Sequence, residues 1–196
     1  MRAASLHSFA AALAILGSVP AVAIGQDAEL RLASGTLNVR FQGSQIIGRA
    51  DACSLNLKGV PESQYVQLSR LHAALLTEAG KWSITDLGST NGTFVNGQGV
   101  KAWSAAPLAD GDRVGLAAFT FTFRLPSDKT SAPVARFDAA RPEKECSAGS
   151  ASDCAVLAVA YHVGIGVRKD PARARTLFQQ ACRGGYEPAC RAPASR

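Results

Sequence analysis

The sequence predicts an all-β sandwich followed by a small αα-hairpin. Three observations carry this. From Glu29 to Leu125, short runs alternate apolar and polar residues and are broken by turn residues. Beyond Pro142 the apolar spacing becomes helical. Four of the five cysteines fall in this last part, in two copies of one spacing. Apolar residues make up 47% of the 196-residue chain, enough for a packed core, which excludes wholesale disorder. There is no Gly-X-Y period, no sustained heptad and no second long apolar run. Collagen, coiled-coil and polytopic membrane classes are therefore excluded.

The first 25 residues have the tripartite pattern of a secretory signal. Met1 and Arg2 open it, Phe9 to Leu16 form the apolar stretch, and Ala21-Val22-Ala23 and Ala23-Ile24-Gly25 offer small-residue cleavage sites. The apolar stretch is short for a membrane span. An exported protein, periplasmic or secreted, is expected, with no stable membrane insertion after cleavage; the alternative is an uncut signal acting as an anchor. Export implies an oxidising compartment, where paired cysteines become disulfides.

Residues 26–127 form the β unit. Leu30-Arg31-Leu32, Leu37 to Phe41, Trp82-Ser83-Ile84 and Phe119 to Leu125 read as half-buried strands. Ser34-Gly35, Gln42-Gly43, Asn91-Gly92, Asn96-Gly97 and Asp110-Gly111-Asp112 read as turns. Many short strands at this spacing imply a sandwich. Residues 128–143, rich in Ser, Pro, Ala, Lys and Asp, read as a linker. Residues 144–196 are helical. Ser150 and Asp153 suggest a capped start, Leu157, Ala158 and Tyr161 share a face, and Gly164-Ile165-Gly166 stops the helix. Asp170-Pro171 starts a second helix whose apolar face is Ala174, Leu177, Phe178 and Ala181, ending at Gly184-Gly185.

The motif Cys-x-x-Gly-x-x-x-x-Cys occurs at Cys146–Cys154 and again at Cys182–Cys190, 36 positions on. A period of this length marks a helical repeat. The residues alone allow a four-cysteine zinc site, but zinc ligands usually stand closer in pairs, and no metal is expected. Leu157, Tyr161, Gly164, Gly166, Asp170, Ala174, Phe178, Ala181, Gly185 and Ala189 make the segment resemble the cysteine-rich Sel1-like repeats of exported bacterial proteins. That resemblance implies the disulfides Cys146–Cys154 and Cys182–Cys190. The fifth cysteine, Cys53, reads either as a small buried thiol or as the site of an intermolecular disulfide.

The β unit contains, in order, Gly48-Arg49, Ser69-Arg70-Leu71-His72, Asp86 to Thr93 and Asn96-Gly97, then Leu108, Gly111-Asp112 and Leu116. Each piece is weak by itself; their order over residues 29–125 resembles the forkhead-associated (FHA) domain. The resemblance implies an 11-stranded sandwich whose end loops hold a phosphothreonine peptide. It assigns phosphopeptide contacts to Arg49, Ser69, Arg70, Thr90 and Asn91, and structural roles to Gly48, His72 and Gly92. Arg49 has the planar donor fork that suits phosphate, although a loop arginine can also be merely solvated. Ser69 and Asn91 can also serve simply as turn formers.

No nucleophile–base set, phosphate loop or dinucleotide fingerprint is present, so neither enzymatic activity nor a cofactor is expected. The net charge of +6 does not point to nucleic acid. The stretch 26–127 has a net charge of only +1, while residues 128–196 have +4. The expected function is a phosphothreonine-binding adaptor with a second protein-binding surface on the hairpin. The alternative is an envelope assembly or scaffold protein that uses the same fold without phosphate.

Overall fold

A computed structural model describes residues 27–35, 37–58, 60–126 and 137–193. The expected signal segment and residues 128–136 of the expected linker lie outside these. Ten strands are present among the described residues: β1 (Asp27–Leu32), β2 (Asn38–Gln42), β3 (Gln45–Ile47), β4 (Ala73–Glu78), β5 (Lys81–Asp86), β6 (Thr93–Val95), β7 (Gln98–Gly99), β8 (Ala105–Leu108), β9 (Arg113–Leu116) and β10 (Phe119–Arg124). A helical turn, α1 (Glu62–Tyr65), lies between β3 and β4. Four helices follow: α2 (Ala140–Ser147), α3 (Ala151–Val163), α4 (Pro171–Arg183) and α5 (Glu187–Cys190).

The strands form two antiparallel sheets, ordered β2-β1-β10-β9-β6-β7 and β3-β4-β5-β8. The resemblance implies eleven strands. The run Ser54–Leu57 makes only an isolated bridge between Ile47 and Leu55, because the Ser54 hydroxyl accepts the Ile46 amide at 3.0 Å in place of a ladder bond. The alternation in β10 buries Phe119, Phe121 and Phe123 toward the second sheet. Trp82 of β5 meets Phe41 and Phe123 of the first sheet edge-on, both at 5.6 Å between ring centres, and so joins the two layers. The Asn96-Gly97 turn between β6 and β7 has φ of 52° and 83°, the twist that suits a two-residue hairpin.

The helices form a third layer. In β4, Ala73 and Leu75 face the sandwich interior, while Ala74 and partly buried Leu76 pack with the helices. In β3, Ile47 faces inward and Ile46 outward in the same way. Seven consecutive residues of α3, Cys154 to Ala160, are buried. A helix apolar all round needs cover on every side. Here α2 and α4 cover one side and the outer face of the four-stranded sheet covers the other. Trp103 bridges the layers, its ring edge-on to His162 at 5.9 Å and to Phe178 at 5.7 Å. Its backbone sits at φ 62°, in the left-handed region, and its amide donates to Asp86 O at 2.8 Å.

Helix α2 begins at Ala140, inside the stretch read as linker, and the Arg141 guanidinium donates to Asp51 O in the sandwich at 2.8 Å. Ser150 caps α3 by accepting the Asp153 amide, and Asp170 caps α4 by accepting the Arg173 amide. The cysteine repeat is also a backbone repeat. Gly149 and Gly185 donate to Cys146 O and Cys182 O, both at 3.0 Å, and Ser150 and Tyr186 donate to Glu145 O and Ala181 O, both at 2.9 Å. The sulfurs of Cys146 and Cys154, and of Cys182 and Cys190, stand at bonding distance, the pairs expected from the resemblance. No helix among the described residues is long and apolar enough to cross a membrane.

Candidate functional site

Three loops converge at one end of the sandwich: the turn after β3, the segment before β4 and the β5–β6 loop. The first two are laced together by backbone bonds, Arg49 N to Ser69 O at 3.1 Å and Ala50 N to Arg70 O at 3.0 Å. Gly48 makes this approach possible. A Cβ at that position would lie 2.1 Å from Arg70 O, so any other residue would drive the loops apart. The Arg49 side chain is exposed and anchored through Nε, which donates to Leu68 O at 2.7 Å. One such bond places the guanidinium without using its other donors.

The second and third loops are held by His72 and Ser69. His72 is fully buried; its Nδ1 accepts the Ser69 amide at 3.2 Å and its Nε2 lies 3.0 Å from Gly92 O. These partners require a neutral ring protonated at Nε2, and burial pushes its pKa below the ordinary histidine value. The Ser69 hydroxyl accepts the Thr90 amide at 3.0 Å. Gly92 sits at φ 78°, a conformation that glycine adopts without strain.

Asp86, at the end of β5, shapes the third loop. Oδ1 accepts the amides of Gly88 and Ser89 at 2.8 and 3.0 Å, and Oδ2 accepts the hydroxyls of Ser89 and Thr93, both at 2.6 Å. The carboxylate is 4% exposed and its acceptor sites point into the loop. Sequence reasoning quoted Asp86 within the motif but assigned it no role. Its signal was the Asp-Leu-Gly-Ser order, the usual composition of a side-chain-capped turn.

Arg49, Ser69, Arg70 and Thr90 line one cleft of about 540 Å³. Asn91 acts from outside that lining: its amide nitrogen donates to Gln67 O at 2.8 Å and ties the second and third loops. The opposite wall belongs to the helical layer, through Tyr186, Pro188 and Arg191, which sequence reasoning missed. Tyr186 is 3% exposed, and the Arg70 guanidinium lies over its ring at 4.6 Å. Burial raises the phenol's pKa above its ordinary value, opposed by the nearby charges of Arg70 and Arg49 and a backbone hydrogen bond with Leu71. Cys53 is buried beneath this region. Its thiol donates to Arg70 O at 3.3 Å, and burial pushes its pKa up. Of the two readings of Cys53, the structure gives the buried thiol.

Residues 46–117 match the family model of the FHA domain. The β-sandwich carries an FHA domain. Strands β1, β2 and β10 lie outside the matched stretch and complete the first sheet of the FHA sandwich. Over 58 residues the chain is 41% identical to the glycogen accumulation regulator GarA of Mycolicibacterium smegmatis, a match covering 30% of this chain and 35% of GarA. The chain thus spans about a third of the length of the curated relatives it matches. Among solved structures it is similar to the FHA domain of FhaA complexed with the intracellular domain of Rv3910, with 31% identity, 50% of this chain and 99% of that one covered, and a TM-score of 0.41. It is also similar to an FHA domain studied for phosphothreonine-dependent interactions, with 28% identity, 53% and 100% coverage, and a TM-score of 0.44.

Proposed function

We propose that this protein is an exported adaptor that binds phosphothreonine peptides through its FHA loops and performs no chemistry on them. The observation that supports this most is the convergence of Arg49, Ser69, Arg70 and Thr90, drawn from three separate loops, on one cleft. Phosphate brings a charge of about −2 and three strong acceptors. Arg49 supplies the planar charged donor, Ser69 and Thr90 supply hydroxyls, and Arg70 adds a second cation. Asn91 keeps the rim loops in register for the peptide backbone. Gly48, His72 and Gly92 serve the site by holding the loops in place.

The Sel1-like hairpin adds a second protein-binding surface. Its inner side is spent on the sandwich, so that surface is the polar outer face of α4, which turns Ala174, Leu177, Phe178 and Ala181 inward. The apolar segment at 9–16 with its small-residue cleavage sites supports export to the periplasm or beyond.

The test is titration of phosphothreonine peptides and their unphosphorylated twins against the full chain and its Arg49→Ala variant. The variant is expected to lose about 2–5 kcal/mol of phosphopeptide binding, as expected when one partner of a hydrogen-bonded charge pair is truncated. Equal affinity of wild type and variant would overturn the assignment. The second reading, a scaffold without phosphate dependence, draws on the engagement of Arg49 Nε and the Asn91 amide within the loops themselves. It predicts no preference between the peptide twins.

A further inference from the structure

The cleft has a wall that the FHA fold does not supply. Tyr186, Pro188 and Arg191 come from the turn after α4 and from the α5 region, yet they line the same space as Arg49, Ser69 and Thr90. This wall is built firmly. Tyr186 is buried, its amide donates to Ala181 O at 2.9 Å, and its ring lies under the Arg70 guanidinium. The pair Cys182–Cys190 closes the loop that bears it, with Cα atoms 4.9 Å apart. Such a closure limits how far the wall can retreat.

Arg191 differs from the other cleft arginines. Arg49 is anchored to Leu68 O and Arg70 lies on Tyr186. Arg191 makes an ion pair with Glu187 at 3.7 Å, with both side chains more than two-thirds exposed. An exposed i,i+4 pair of this kind contributes little, so the Arg191 fork can exchange Glu187 for a ligand carboxylate at small cost.

We propose that Arg191 is a specificity-determining residue of the cleft, reading an acidic side chain near the phosphothreonine. This rests on the phosphopeptide reading given above. The helical layer then does more than cover the sheet: it adds an acidic-residue subsite to the phosphate site. The fork of a guanidinium fits a peptide Asp or Glu in two parallel bonds.

The test uses the full chain and a phosphothreonine peptide with alanine at every flanking position, together with a series that places a single Asp at each flanking position in turn. At low salt the wild type is expected to gain about two- to fivefold in affinity from Asp at one position, and to lose that gain at high salt. Arg191→Ala removes the gain and keeps the preference for phosphate; Glu187→Gln, which frees the fork, enlarges it. An Asp gain unchanged in Arg191→Ala overturns the inference and leaves the phosphate site standing, as does a wild type indifferent to Asp everywhere. A wild type that does not distinguish phosphorylated from unphosphorylated peptide overturns both.

Discussion

Replacing Asp86 with alanine would remove four hydrogen bonds at once. The carboxylate accepts two loop amides and two hydroxyls between 2.6 and 3.0 Å while being 4% exposed. Hydrogen bonds to a charged group contribute about 1.5–3 kcal/mol each, but not all four are lost in full. Gly88 is exposed and Ser89 half-buried, so water can reach their groups, whereas the Thr93 hydroxyl is buried and would be stranded. Counting the Thr93 bond in full and the others in part puts the cost of Asp86→Ala at about 3–5 kcal/mol. Asp86→Asn keeps one oxygen for the amides, and the hydroxyls can rotate to accept from its NH2, so it should cost about 1–2 kcal/mol. Urea unfolding under non-reducing conditions measures both, with the slope checked for two-state behaviour. In a chain of this size about 3 kcal/mol corresponds to roughly 6–12 °C in Tm. An Asp86→Ala variant within about 0.5 kcal/mol of wild type, the range of a neutral surface change, would refute the reasoning.

Two further outcomes are expected. His72 is held neutral, with its pKa lowered by burial, so the unfolded chain takes up a proton first as pH falls. Its contribution is complete above the ordinary value of 6.5 and is lost as pH drops below that toward the folded-state pKa. His72→Gln can accept from the Ser69 amide and donate to Gly92 O without titrating, and should flatten the fall in stability as pH drops below 6.5; identical slopes in both proteins would refute this. Leu157→Ala in α3 should cost about 2–5 kcal/mol and lower a single calorimetric transition, because sandwich and helices share one core cluster. Two transitions, of which only one moves, would show that the layers fold independently.

Much of the sandwich was legible because strand alternation is a local property. Phe119 to Arg124 alternates and is buried in alternation. Asn96-Gly97 turns where it should, and the helix starts at Ser150 and Asp170 are capped as their spacing suggests. The candidate site was partly legible. Arg49, Ser69, Arg70 and Thr90 meet in one cleft, but Asn91 works beside it and Asp86 had been given no role.

The docking of the hairpin was the part that sequence patterning left open, although two signals bore on it. The run Ala73-Ala74-Leu75-Leu76 does not alternate, as befits a strand covered on both faces. The segment Cys154 to Ala160 has no polar side, as befits a helix with neighbours all round. Each signal says that something must cover the surface, and neither says what. By itself, the sequence determined the periods, the turns, the caps and the spacing of the cysteines, since these follow from backbone geometry over a few residues. Only the tertiary structure decided that the outer face of the four-stranded sheet is covered by α3, and that Tyr186 and Arg191 stand opposite Arg49. Those placements depend on matching apolar surfaces contributed by distant segments, a property of the assembled layers that no local spacing records.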